Sequence, residues 1–222
     1  MEINRSLTAK YHAKGKRTVL GVILHDTAGT GTHNDTKYLA SPGDGRKVSV
    51  DFTVERDGAV YQLNPDLRNA WTYHAGRSTQ FKGLRNQAVT KGCIGIEICQ
   101  KADMSLTPIY PPEQVKAVAE LCAYLCKEFN LTKADITTHA KVVTDGSRSD
   151  PRKFPWSDFW TAFDGSTGMV GTSGQIFHIT AAGDTLWRLA NKYQTRIETI
   201  KALNGINEAS NIIEVGRRLR VK

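Results

Sequence analysis

No window of this 222-residue chain approaches the roughly 18 consecutive apolar residues that a membrane-spanning helix needs, and its main apolar run, Val19 to Leu24, is far shorter. A transmembrane reading is excluded by that shortage. The stretch Met1 to Arg17 is basic but has neither the apolar core nor the small-residue cleavage site of a secretory signal, so synthesis in the cytoplasm is expected. Cysteine is scarce: Cys93, Cys99, Cys122 and Cys126 are too few for a disulfide scaffold in a chain of this size, and neither pair has CxxC spacing. Apolar neighbours flank both pairs, which favours buried free thiols over a metal cluster. Aromatics make up 8% of residues and are not interleaved with the basic ones, so no nucleic-acid-binding motif is present and no nucleic-acid partner is expected.

What is present is an ordinary folding composition, 40% hydrophobic and 23% charged, with a net charge of +8. That charge suits a polyanionic partner or simply a solubilising surface, and does not choose between them. Organisation breaks once. The segment DGSTGMVGTSGQ, Asp164 to Gln175, spaces four glycines among small polar residues and has the composition of a flexible tether. Residues 1–163 and 176–222 are therefore expected to be separate domains, joined by a 164–175 linker.

In the first domain, Thr18 to Leu24 reads as a strand buried on both faces that ends at His25. Ser49 to Glu55 alternates, with Val50, Phe52 and Val54 on one face and Ser49, Asp51, Thr53 and Glu55 on the other; Arg56-Asp57-Gly58 then turns the chain into Ala59 to Leu63. A third strand, Cys93 to Cys99, sends Ile94, Ile96 and Ile98 to the core, so Glu97 and Gly95 face the opposite way. Pro112 to Phe129 is an amphipathic helix with proline in its first turn and Val115, Val118, Ala119, Cys122, Leu125, Cys126 and Phe129 on one face.

Against this frame His25, His139 and Asp150 form a three-ligand set with an open fourth position, which is the requirement of a catalytic zinc. Chemistry alone leaves the alternative open, since histidines at strand ends commonly serve as hydrogen-bonded core residues.

Five ordered motifs carry more: HDTAG at His25, VDFTVERDGAVYQL from Val50, WTYHAG at Trp71, IGIEIC at Ile94 and HAKVVTDGSRSDP at His139. In order and spacing they resemble the type 2 N-acetylmuramoyl-L-alanine amidases over roughly residues 18–157. That superfamily includes phage lysozyme-like amidases, cytosolic muropeptide-recycling amidases and peptidoglycan recognition proteins. The resemblance implies an α/β fold with a mixed central β-sheet flanked by helices, and zinc (Zn2+) held by His25, His139 and Asp150. It implies that Glu97 serves as general base and acid in cutting the amide between N-acetylmuramic acid and L-alanine. Arg148 stands where many relatives have lysine, keeping a cation near the developing oxyanion with a planar fork in place of a point charge. Asp51 stands where many have histidine, and reads equally as a partner behind a ligand or as a solvated strand residue. By the same resemblance His74 lies at the cleft rim and orients substrate. Trp71 packs beside sugar or peptide, or in the core.

From Phe177 to Val221 the pattern is strand, helix, helix, strand. Leu186, Leu189, Ala190 and Tyr193 share one helical face, Asp184 or Thr185 caps that helix, and Asn204-Gly205 ends the next. GDTLW, the NG pair and VGRRLRV resemble a LysM module, a small βααβ domain. The resemblance implies binding to N-acetylglucosamine-containing glycan, with Gly183, Asp184, Asn211 and Ile213 bordering the sugar groove. A core this small makes it a docking unit. Together these features suggest a phage or prophage endolysin or an autolysin, monomeric, with bacterial peptidoglycan as partner and release through a holin-type route. A non-catalytic wall receptor and a cytosolic recycling amidase are the alternatives.

Overall fold

The apolar run after Thr18 builds the centre of a sheet, because a strand with Val22, Ile23 and Leu24 all fully buried must be covered on both faces. The computed structural model describes residues 1–166, 177–181, 183–193, 195–207 and 210–221. The chain divides into two units, Met1–Thr167 and Gly168–Lys222. The first runs β1 (Ile3–Asn4), β2 (Ala13–Lys14), β3 (Gly21–Asp26), α1 (His33–Ala40), β4 (Phe52–Val54), β5 (Val60–Gln62), β6 (Ala70–Trp71), β7 (Gln80–Phe81), β8 (Leu84–Arg85), α2 (Gln87–Gly92), β9 (Cys93–Ile98), α3 (Pro112–Phe129), β10 (Ile136–Thr138), α4 (His139–Val142) and α5 (Trp156–Ser166).

Six strands form one sheet in the order β1-β5-β4-β9-β3-β10, parallel except for the antiparallel β4–β5 hairpin. The mixed sheet flanked by helices is the architecture expected. In β9, Ile94, Ile96 and Ile98 are fully buried and join Val22, Leu24, Phe52 and Val54 under α3 and α5. Each such side chain contributes about 1.5–3 kcal/mol of burial free energy. Helix α3 has the predicted bounds; proline sits at its start, and Asn130, in the left-handed region at φ 54°, returns its N–H to the Cys126 carbonyl and stops the helix.

Two boundaries differ from expectation. β3 begins three residues late, at Gly21, and continues through His25 to Asp26, because β9 pairs with it as far as Ile98. α5 continues to Ser166, three residues into the segment whose composition reads as linker. The rest of that segment, 167–175, lies outside the described residues. All four cysteines are free and buried, and burial pushes the Cys93 thiol up to about 12.

The second unit pairs β11 (Phe177–Ile179) antiparallel with β12 (Arg218–Arg220), with α6 (Leu186–Lys192) and α7 (Ile197–Asn204) between them. Leu186, Leu189, Ala190, Ile200, Leu219 and Val221 make its core. Thr185 is the residue that caps α6, accepting from Arg188 N–H, and Gly205 closes α7 at φ 59°. Asn204 ties α7 to β12: its amide donates to the Arg220 carbonyl (2.7 Å), and its Oδ1 accepts from Arg220 N–H (2.7 Å). Among the described residues, no helix is long and apolar enough to cross a membrane.

Candidate active site

Strand register assembles the site. His25 on β3, Glu97 on β9 and Thr53 on β4 are direct neighbours across the sheet, on the face opposite the isoleucines. β10 lies parallel to β3 with Thr138 beside Leu24, and Thr138 caps α4, so His139 emerges next to His25. Asp150 is fixed from the loop before α5, where its carbonyl accepts from Ala140 N–H (3.1 Å).

The result brings together His25, His139 and Asp150, one ligand atom of each lying within 4.8 Å of the others. His25 Nδ1 is 3.0 Å from His139 Nδ1, and Asp150 Oδ2 is 3.0 Å from the latter and 3.3 Å from the former. The His139 Nε2 faces the Ala75 carbonyl at 3.2 Å, an acceptor only, so Nε2 carries the proton and Nδ1 is a lone pair. Lone-pair nitrogens and a carboxylate oxygen thus converge. A proton satisfies one pair of these atoms at a time, whereas a divalent cation satisfies all three, and two imidazoles with one carboxylate are a zinc-type donor set.

A cavity of about 820 Å³ opens over this cluster. Glu97, His139 and Asp150 line it together with Arg148, which is exposed, and with Asp26 to Thr30 and the Tyr38, Leu39, Arg46 and Val48 wall. Glu97 has its Oε2 buried with no hydrogen-bond partner. Burial first, then the Asp150 and Asp26 carboxylates, push its pKa up to about 8. Asp26, the other acid nearby, is committed: Arg152 grips both its oxygens at 2.6 and 3.1 Å.

His74 and Trp71, both expected near the cleft, have different surroundings. His74 lines the cavity and is itself buried, with Nδ1 3.3 Å from His25 Nε2. The β9 strand leaves room for it, since a Cβ at Gly95 would lie 2.5 Å from the His74 ring. Trp71 is not among the residues lining the cavity. β6 pairs with β2, so its ring lies against Gly15 with the Lys91 ammonium 4.8 Å from its centre.

Asp51 is fully buried and paired with Arg17 at 3.2 Å, so the solvated reading fails. Sequence reasoning missed Arg17, Asn64 and the Asp26–Arg152 pair. A signal existed for the last, because Asp26 directly follows His25 and Arg152 sits two residues after Asp150. In the second unit Gly183 is exposed at φ 89°, Asp184 accepts from His178 (2.7 Å) and from Ala181 N–H (2.7 Å), Asn211 is exposed, and Ile213 packs against the core.

Comparison with known proteins agrees with this geometry. Residues 15–153 match the family model described as N-acetylmuramoyl-L-alanine amidase, and residues 178–222 match the LysM domain. A Bacillus licheniformis protein named "Probable N-acetylmuramoyl-L-alanine amidase" is 29% identical over 132 residues, 58% of this chain. The match spans only 36% of that relative's length. Among solved structures, a mutant endolysin from Bacillus subtilis matches with a TM-score of 0.53 and 24% identity, over 76% of this chain and 99% of that one. The amidase AmiD from E. coli, in complex with the substrate anhydro-N-acetylmuramic acid-L-Ala-D-gamma-Glu-L-Lys, matches with 0.53 and 18%, over 81% and 72%. The chain belongs to the N-acetylmuramoyl-L-alanine amidase family, and a LysM domain follows its amidase domain.

Proposed function

We propose that this chain is a zinc-dependent wall hydrolase that cuts the amide between N-acetylmuramic acid and L-alanine in peptidoglycan, with its LysM unit docked on glycan. The observation that carries the reading is the convergence of His25 Nδ1, His139 Nδ1 and an Asp150 oxygen beside the unpartnered Glu97 Oε2 at the floor of an open cavity. Zinc in that donor set supplies Lewis acidity, which polarises a carbonyl and lowers the pKa of water.

The chain's own residues do the rest. Glu97 lines the cavity with a buried oxygen that has no hydrogen-bond partner, and it takes the proton from the attacking water. Burial first, then the Asp150 and Asp26 carboxylates, hold its pKa at about 8, and a cation held by the donor set would oppose that push and favour the ionised form. Arg148, on the cavity wall, opposes the negative charge that builds on the amide oxygen. As the C–N bond breaks, Glu97 returns its proton to the departing L-alanine nitrogen, leaving a carboxylate on the lactyl group and a free stem peptide. The cavity is large enough for a short muramyl peptide, and the fold it shares with AmiD supports that class of substrate.

The test is mass spectrometry of peptidoglycan digested by the full chain. Free stem peptides beginning at L-alanine are expected, and new reducing sugar ends without them would replace the amidase reading by a glycosidase one. The likeness to endolysin folds supports bacterial wall lysis as the setting.

A further inference from the structure

Behind His25 lies a chain of buried polar groups that the reaction itself does not use. His74 has both ring nitrogens committed. Its Nε2 is 3.0 Å from the Cys93 carbonyl oxygen, which only accepts, so Nε2 carries the proton. Its Nδ1 is then a lone pair, and the His25 Nε2 that faces it at 3.3 Å must donate. That leaves His25 with its own lone pair on Nδ1, the atom turned toward His139 and Asp150.

The support for His74 is itself fixed. Arg17 Nη2 donates to the same Cys93 carbonyl at 2.6 Å, and its Nη1 pairs with Asp51 at 3.2 Å. Asp51 accepts from Gly95 N–H at 2.9 Å and from the Asn64 amide at 2.5 Å, and both members of the ion pair are fully buried. Gly95 closes the assembly, since any side chain there would meet the His74 ring at 2.5 Å. An unpaired buried charge would be costly at this depth, so the cluster holds one arrangement.

We infer that His74, seated on Gly95 and braced through the Cys93 carbonyl by the buried Arg17–Asp51 pair, is a positioning residue. It fixes the tautomer and ring orientation of His25 and so presents His25 Nδ1 to the cation. The inference rests on the zinc reading above. It assigns to Asp51 and Gly95 a purpose in the site that neither has through contact with substrate.

The experiment measures zinc affinity of the full chain by competition with a chromophoric chelator, for wild type, His74→Leu and His74→Asn. Asparagine offers its amide oxygen at about the position of Nδ1, whereas leucine offers no acceptor. Leucine should weaken zinc binding about 10–100-fold, and asparagine should recover most of that loss. Equal affinity of wild type and His74→Leu, or an asparagine variant as weak as the leucine one, overturns the inference while leaving the zinc reading intact. A wild type that binds no zinc overturns both. Should the leucine variant not fold, nitrogen-15 NMR of histidine-labelled, zinc-loaded wild type decides: protons on Nε2 of both His74 and His25 are expected, and a proton on His74 Nδ1 is the contrary result.

Discussion

The two faces of β9 separate the work of holding the fold together from the work of the site. Ile94, Ile96 and Ile98 are fully buried among aliphatic and aromatic side chains beneath α3 and α5. On the other face Gly95 and Glu97 lie among His25, His74, Asp51 and Thr53, most of them equally inaccessible but polar. Burial alone therefore does not distinguish core from site. What distinguishes them is whether there are polar groups to satisfy: the three isoleucines have none, while on the polar face Asp51 is held by Arg17, Asn64 and Gly95 and the Glu97 Oε2 is left without a partner.

The largest effect that tests this division is at Glu97. Glu97→Gln should lower turnover on peptidoglycan by about 10²–10⁴-fold, the range for losing a general acid-base group, with zinc affinity and wall binding retained. Near-wild-type release of stem peptides would remove Glu97 from the reaction. On the opposite face of the same strand, Ile96→Ala should cost about 2–5 kcal/mol of folding free energy through the cavity it leaves. Urea denaturation reads that cost. The folded fraction should keep its zinc affinity, and a loss of zinc as large as that of stability would mean that the two faces are not independent.

A third test uses pH on the chelator-treated, metal-free chain. Glu97 has a pKa raised from 4.5 to about 8 in the folded state, chiefly by burial. The folded form therefore binds the proton more tightly than the unfolded one. The stability this confers is complete below about pH 4.5 and is lost as pH rises through about 8. His25 and His74 are shifted the other way, both by burial first, so they favour the folded state above their ordinary pKa and oppose the trend. The difference between wild type and Glu97→Gln isolates the carboxylate: the variant should lack the decline across that window, by urea midpoints taken at each pH. Parallel curves would mean that Glu97 ionises freely in the fold.

The apolar face was legible in the sequence because its signal is local. Spacing alone placed Ile94, Ile96 and Ile98 in the core, sent Glu97 away from it, and gave α3 its bounds. The metal set was legible only as three residues compatible with zinc, and the ordered motifs supplied the rest. The environment of Asp51 was not legible. Alternation put it on a polar face, and no local pattern says that Arg17, 34 positions earlier, comes to neutralise it there. The burial of His74 was not legible for the same reason, since it depends on the missing side chain of Gly95, 21 positions later. In the second unit the helix cap fell to Thr185 because Asp184 is drawn instead to His178 and the Ala181 amide, two partners that periodicity does not register.

The smallest expected effect concerns whether the polar face of the sheet suffices for chemistry by itself. Among the described residues, the group of side chains able to hold a metal lies wholly in the first unit, and that unit has its own core. Removing residues 168–222 should therefore leave cleavage of a soluble muropeptide within about twofold of the full chain. On insoluble wall the second unit, once docked on glycan, would hold the amidase near many stem peptides at raised local concentration, an advantage of at least about tenfold when linker and spacing permit. Turbidity loss of a wall suspension and release of peptide from a soluble fragment, measured side by side, give the two numbers. A shared, equal loss would mean that the second unit supports the fold or the site of the first, and the division between a site-bearing sheet and a separate docking module would have to be abandoned.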